Sequence, residues 1–468
     1  MSRPNILLIM ADQLRYDCIG YSRSAPVETP NIDRLAAEGM WFTNAYTHIP
    51  VCGPSRQSLV CGQRPETFGG LWNHSIALKV ASLEPSSYSW ARTLQEAGYR
   101  CGYIGKWDVH PQHDPTRYGF DEYIDSNKYY RSWIKEKYPD LAYTQGYMGE
   151  VDPLPLEHSS THQTAAMASE LLGRMASDAG VPWLLRVNFR EPHLPCRPTA
   201  TFAKRYPPEQ VPEWPSFGDT FIDKPYIQAQ QLLNWNIQDY SWDDWAPIVS
   251  RYFAVISQLD DAIGELLRQL DATGLSDNTI VLFTADHGDM CGGHRMMDKH
   301  YVMYEDVVKV PLAVRWPGMV APGSRCDQFV YNMLDLPPTL LEASGSPSPE
   351  RIGVALHGES LLSLLQGHEP QGWRDHVVAT YNGQQFGLYS QRMIRTSDWK
   401  YVWNPTDTDE LYDMRADPNE LSNIARHPDH AATVTELRHR LYEILLRDGD
   451  GLVQNHWMKE QLLAGRKK

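Results

Sequence analysis

The 468-residue chain has little apolar sequence at its N-terminus: Ile6–Met10 is followed at once by Ala11 and Asp12. Such a stretch is too short for the core of a secretory leader or for a membrane span, and it reads as a buried strand. Cysteine is sparse. Cys18, Cys52, Cys61, Cys101, Cys196, Cys291 and Cys326 show neither a Cys-x-x-Cys spacing nor the density of a disulfide scaffold, so cytoplasmic residence is the expected location. Positive charge is in deficit as well, with 43 Lys and Arg against 58 Asp and Glu and a formal net charge of −15. General nucleic-acid or anionic-membrane binding needs the opposite balance, so neither partner is expected. An anionic substrate would have to be met by a local cationic pocket. Internal repeats and low-complexity segments are lacking too.

What is present is an ordinary globular composition, 42% hydrophobic and 22% charged, over a length that large α/β enzymes often keep in one core. Pro4–Met10 reads as a strand that delivers Asp12 and Gln13 to its C-terminal end. Thr29-Pro30-Asn31 is an N-cap with proline at the first helical position, and it opens a helix that stops at Gly39. Met40–Tyr46 is a second strand candidate. A helix over Tyr88–Ala97 precedes the strand Arg100–Ile104, and a helix over His162–Met175 precedes the strand Trp183–Phe189. Ile248, Tyr252, Val255, Ile256, Leu259, Ile263, Leu266, Leu267 and Leu270 recur at helical spacing up to Gly274. The strand Thr279–Thr284 then runs into Asp286-His287-Gly288.

This alternation predicts an α/β fold: a large, mainly parallel or mixed sheet sandwiched by helices, with ligands bound outside the carboxyl ends of the strands. Residues 1–373 form the main domain in this reading. Residues 197–245 are an insertion rich in proline and aromatics, whose rings either pack on the C–H faces of a sugar or staple the insertion itself. Residues 374–468 form a smaller α+β subdomain, with strand-like runs at Val377–Tyr381 and Arg392–Val402 and a helical stretch from about His430 to Leu463.

The most informative run is Cys52-Gly53-Pro54-Ser55-Arg56. At a loop-to-helix junction, oriented N–H groups and a guanidinium one turn away favour an anion; the plainer alternative is a buried cysteine before a proline-started helix. The run resembles the Cys-x-Pro-Ser-Arg signature of type I sulfatases, within the alkaline phosphatase-like superfamily. Further pieces resemble that family in its own order: Pro4–Ile9 leading to Asp12-Gln13, Gly105-Lys106-Trp107, Glu191-Pro192-His193-Leu194-Pro195, Thr284-Ala285-Asp286-His287-Gly288, and His294 and Lys299 before Tyr304-Glu305. Asp409–Asp413 and Asp417–Glu420 resemble its C-terminal signature.

The resemblance implies a sulfatase that hydrolyses the sulfate monoester of a saccharide or small molecule and releases inorganic sulfate, and the aromatic insertion with the run Trp72-Asn73-His74-Ser75 points to an O-sulfated carbohydrate. It implies that Cys52 is oxidised to formylglycine by a formylglycine-generating enzyme and that the hydrated aldehyde is the nucleophile. Asp12, Gln13, Asp286, His287 and position 52 would hold Ca²⁺; because histidine softens the donor set, Mn²⁺ or Mg²⁺ stays open. Arg56 would grip the hydrated aldehyde, Lys106 a sulfate oxygen, and Lys299 with His193 would serve the departing alcohol. Taken singly, either lysine reads as a solvated surface charge. His294 and the polar run Trp72-Asn73-His74-Ser75 are expected near the substrate, although a plain loop turn accounts equally for that run. Asp108 stands where the family usually has histidine, so Asp108 itself or His110 is the candidate base. Two other readings stay open. One is a phosphonate-monoester or phosphodiester hydrolase using the same site, against which Ser55 leans. The other is a catalytically silent binding protein with an unmodified thiol.

Overall fold

The computed structural model describes residues 3–74, 80–383 and 387–467. The apolar N-terminal run forms β1 (Asn5–Asp12), buried along its whole length. The chain then passes through β2 (Met40–Phe42), β3 (Ala45–Tyr46), β4 (Arg100–Gly105) and β5 (Glu122–Ile124). It continues through β6 (Trp183–Pro192), β7 (Thr279–Ala285), β8 (Leu312–Arg315), β9 (Ser324–Cys326) and β10 (Val330–Tyr331). Among the described residues the large sheet has eight strands in the order β5-β4-β6-β1-β7-β8-β2-β9. From β5 to β7 neighbours run parallel, while β8 is antiparallel to both β7 and β2. Strands buried on both faces read as continuous apolar runs, which is the pattern of Ile6–Met10. The expected strand over Met40–Tyr46 is two strands: β2 stays in the large sheet and β3 pairs with β10 in a separate ribbon.

Helices sandwich this sheet. Pro30–Ala37, Ser160–Ala176 and Trp242–Ala272 pack together, and Cys52–Cys61, Trp90–Glu96 and Leu336–Ala343 form a second group. The long helix begins earlier than its apolar period, at a capping box between Ser241 and Asp244. Trp242 and Trp245, expected in the insertion, therefore lie in its first turns. Trp214 and Trp245 are buried. Trp214 donates from Nε1 to the Cys291 carbonyl at 2.9 Å, and Trp245 packs with Met290, Met296 and Met297. These rings brace the loop that leads to Lys299 and do not offer open faces to a sugar.

After residue 373 the chain forms an antiparallel sheet, β11 (His376–Tyr381), β12 (Gln391–Thr396), β13 (Trp399–Trp403) and β14 (Glu410–Asp413), in that order. The run Arg392–Val402 is thus a hairpin, β12–β13. The terminal stretch is broken into helices Ala431–Arg447, Gly451–Gln454 and His456–Ala464. A buried ion network ties this sheet to the main one. Lys400 Nζ lies 2.8 Å from Glu305 and 2.6 Å from Glu420, and it donates to the Met303 carbonyl at 3.0 Å. Tyr46 donates to the same Glu305 at 2.6 Å. Among the described residues no helix is long and apolar enough to cross a membrane.

Candidate active site

Strand register builds the centre of the site. β1 and β7 run parallel with Ala11 opposite Ala285, so the residues that follow, Asp12 and Asp286, emerge side by side at the carboxyl edge. The Asp286 N–H donates to the Ala11 carbonyl at 3.3 Å. Cys52 is the first residue of the fully buried helix Cys52–Cys61, and that helix aims it at the same edge. Its Sγ lies 3.2 Å from His287 Nε2 and 3.7 Å from Asp12 Oδ1. Potential ligand atoms of Asp12, Cys52, Asp286 and His287 all fall within 4.8 Å of one another, and all four residues are buried.

Arg56, one turn into the helix, closes on the two carboxylates. Its Nε donates to Asp286 at 2.9 Å, and its Nη2 lies 3.5 Å from Asp12. Its Nη1 donates to the Lys106 carbonyl at 2.9 Å. Arg56 thus grips the carboxylates that flank position 52. The Lys106 carbonyl also accepts from the Tyr103 hydroxyl at 2.7 Å and from Asn188 Nδ2 at 3.1 Å. Gly105 allows this approach: its φ is +101° and a Cβ there would lie 1.9 Å from the Asn188 carbonyl oxygen. The Lys106 ammonium reaches Asp12 at 2.5 Å and Asp108 at 3.6 Å.

On the other flank Gln13, at φ +68°, turns its side chain away from regular strand geometry. Its amide nitrogen donates to Asp289 and, at 2.9 Å, to Asp298. Its amide oxygen accepts from Lys299 at 2.6 Å. Lys299 Nζ lies 3.4 Å from His193 Nε2, and the Nδ1 of that ring bonds the Leu194 carbonyl at 2.8 Å. A proton on Nδ1 leaves Nε2 facing the ammonium. Asp289, Asp298, Tyr103 and Asn188 were not singled out in the sequence. Asp289 and Asp298 carry a local signal, being close to Asp286 and next to Lys299.

The remaining expected residues divide. Asn73 accepts the Gly53 N–H at 2.7 Å, just behind Cys52. His74 bonds the Val109 carbonyl at 3.1 Å, and with Lys106, Asp108 and His110 it lines an open cleft of about 700 Å³. His110 accepts from the Gln112 and His113 N–H groups. Ser75 lies outside the described residues. His294 is placed elsewhere. Its ring stacks on Tyr304 with centroids 3.7 Å apart and bonds Asp219 at 2.6 Å. This buried cluster also includes Lys224, so the residue is committed to packing and not to the cleft.

The electrostatics are those of two anions in a cationic cage. Burial opposes ionisation of Asp12, but Lys106, His193, Arg56 and His287 outweigh it and hold Asp12 well below the usual carboxylate range. Burial and then Asp12 push Asp286 up. Burial and Asp12 likewise oppose ionisation of Cys52, yet Lys106, Lys299 and His287 together hold its thiol well below the ordinary range. Two facing buried carboxylates with an imidazole are a donor set that fits a divalent cation with hard ligands. Gln13 sits at the edge of that set, with its oxygen shared with Lys299.

The family model described as Sulfatase matches residues 4–346, well over half of the chain. The chain belongs to the sulfatase family. A second model, N-sulphoglucosamine sulphohydrolase, C-terminal, matches residues 292–447 of this sulfatase. An arylsulfatase of Clostridium perfringens is 28% identical over 499 residues, covering 99% of this chain and 98% of the relative. An N-acetylglucosamine-6-O-sulfatase of Bacteroides thetaiotaomicron is 27% identical, covering 94% and 86%. Among solved structures, a phosphonate monoester hydrolase of Agrobacterium radiobacter superposes with a TM-score of 0.82 at 25% identity, covering 95% of this chain and 96% of that one. The sulfatase is accordingly a hydrolase of sulfate esters with the alkaline phosphatase-like fold.

Proposed function

We propose that this sulfatase removes an O-sulfate from a carbohydrate, with Cys52 carried as formylglycine. In this reading a divalent cation, Ca²⁺ with Mn²⁺ or Mg²⁺ as substitutes, is held by Asp12, Asp286, His287 and position 52. The observation that carries this is the convergence of four buried ligand atoms within 4.8 Å, flanked by two lysines. The hydrated aldehyde would supply the nucleophilic oxygen, and the cation would supply Lewis-acid charge stabilisation.

The chain's own side chains have distinct tasks. Asp12 raises the proton affinity of Lys106 against the effect of burial, so Lys106 stays cationic and can neutralise a sulfate oxygen. Lys299 and His193, 3.4 Å apart, stand where a departing alcohol could take a proton. Arg56 holds the carboxylates of Asp12 and Asp286 in register. Asp108, at the mouth of the cleft beside Lys106, is the candidate base, with His110 behind it. The polar cleft of about 700 Å³ suits a sugar, and the N-acetylglucosamine-6-O-sulfatase relative supports that substrate class.

A second reading, phosphonate-monoester hydrolysis, is favoured by the superposition on the Agrobacterium enzyme. Ser55, whose hydroxyl donates to the Asp286 carbonyl at 3.0 Å, leans towards sulfate. Two measurements test the proposal on protein produced together with a formylglycine-generating enzyme. Mass spectrometry of the Cys52 peptide should find the aldehyde, and kcat/KM should favour an aryl sulfate over a phenylphosphonate ester. Turnover by protein whose Cys52 is wholly unmodified would remove the nucleophile, and a phosphonate preference would reverse the substrate assignment.

A further inference from the structure

A second pocket, of about 220 Å³, opens beside His193. It shares Asn127 and Arg131 with the cleft that holds Lys106. These two residues stand four apart on the helix Ser126–Lys137, so they lie on one face and form the common wall. The two openings therefore adjoin each other, one reaching the reaction centre at Lys106 and the other at His193.

The lining of the smaller pocket is unusual in its charge. Arg131, Arg190 and Arg197 all face it. Among the described residues none of the three forms an ion pair within 4 Å. Arg197 lies over the Tyr143 ring at 3.9 Å, and its buried Nε lacks a hydrogen-bond partner. Arg190 has a long contact, 3.4 Å, to the Leu194 carbonyl. The two carboxylates of the pocket have other hydrogen-bond donors, Glu191 accepting from the Ser160 hydroxyl and Asp152 from the Leu154 N–H at 3.0 Å, and Arg197 acts on Asp152 only beyond ion-pair distance. Three guanidinium groups against two carboxylates leave this pocket with a local excess of positive charge, beside a reaction centre that already receives one anion, in a chain of net charge −15. Their planar forks match a carboxylate or a sulfate.

We propose that this pocket receives a second oxyanion of the substrate, a carboxylate or a further sulfate, so that the preferred sugar carries two negative groups. The inference rests on the sulfate-ester reading of the main site. It adds that Arg131, Arg190 and Arg197 select among sulfated sugars.

The test compares matched pairs: a uronic-acid O-sulfate against its methyl ester, and a hexose disulfate against the monosulfate. A charge-assisted contact is worth about 1.5–3 kcal/mol, which corresponds to a preference of roughly 10- to 100-fold in kcat/KM for the doubly charged member. The pair that shows the larger ratio identifies the second group. Arg197→Met keeps the apolar stem on Tyr143, and it should collapse that ratio towards one. Arg131→Ala, at an exposed position, should lower it without any demand on folding. Equal rates within both pairs, or ratios unchanged in both variants, would overturn the inference while leaving aryl-sulfate hydrolysis intact. If the aryl sulfate itself is not cleaved, the main reading falls and the pocket is judged by binding. Free glucuronate or inorganic sulfate should then raise the thermal midpoint of the wild type but not of Arg197→Met, and equal midpoints would end the proposal.

Discussion

Replacing Gly105 by alanine separates two costs that usually arrive together. Gly105 has φ +101°, and a Cβ there would meet the Asn188 carbonyl oxygen at 1.9 Å. Gly98 serves as the control, because its φ is +90° and nothing lies within 4 Å of its Cβ position. Gly98→Ala should therefore show the backbone cost alone, about 1–2 kcal/mol. Gly105→Ala carries the same cost plus the overlap, which can be relieved only by pushing β4 away from β6. That overlap should add about 1–3 kcal/mol, the usual range for overpacking. The displacement falls on Lys106, whose carbonyl is fixed by Arg56, Tyr103 and Asn188. A misplacement of about 1 Å at a reacting group costs on the order of 100-fold in rate. Denaturant midpoints of both variants and kcat/KM on an aryl sulfate provide the assay. Gly105→Ala with the midpoint of Gly98→Ala and wild-type activity would show that the strand edge is not what positions Lys106.

Cys52→Ser should give at most a single or very slow turnover, because a serine lacks the second hydroxyl needed to restore the aldehyde; steady-state release of product from an aryl sulfate at wild-type rate would contradict this. Asp108→Ala and His110→Ala, measured separately, should identify the base as the variant with the larger loss of kcat, and unchanged turnover in both would place the base elsewhere. His294 is held neutral by burial, its ring pushed down to about 4 from 6.5. Between those values the unfolded chain binds a proton that the folded chain does not, so stability should fall as pH drops from 6.5 towards 4, by roughly 3 kcal/mol at most. His294→Gln should flatten that slope in denaturant titrations, and an unchanged slope would mean that the Asp219 carboxylate keeps the ring protonated in the folded state as well.

Much of the architecture was legible because the elements that build it carry strong local signals. Ile6–Met10 is apolar without alternation, the mark of a strand buried on both faces, and the 248–270 run keeps one helical face through its whole length. Asp12, Asp286 and His287 follow such strands, but they and Cys52 were singled out because the runs that carry them resemble the sulfatase motifs. What escaped was decided by tertiary packing. His294 sits in a loop with no period, and only the folded chain reveals that Asp219 and Tyr304 claim its ring. The rings of Trp214 and Trp245 looked available on composition alone, but the loop between Asp286 and Tyr304 needs them as its floor. Asn188 and Tyr103 are ordinary strand residues until β4 and β6 align and their side chains meet at one carbonyl.

Lys400 has a consequence for how the polypeptide can be cut. Its ammonium is the cation on which Glu305 and Glu420 converge, and Glu305 opens the short helix just after Tyr304. A shortened version ending before residue 374 would take both Lys400 and Arg395 from Glu305, leaving it Lys309 at 3.9 Å and the Tyr46 hydroxyl. The small sheet is thus no detachable appendage: it neutralises, from behind, the segment through which Lys299 is tethered.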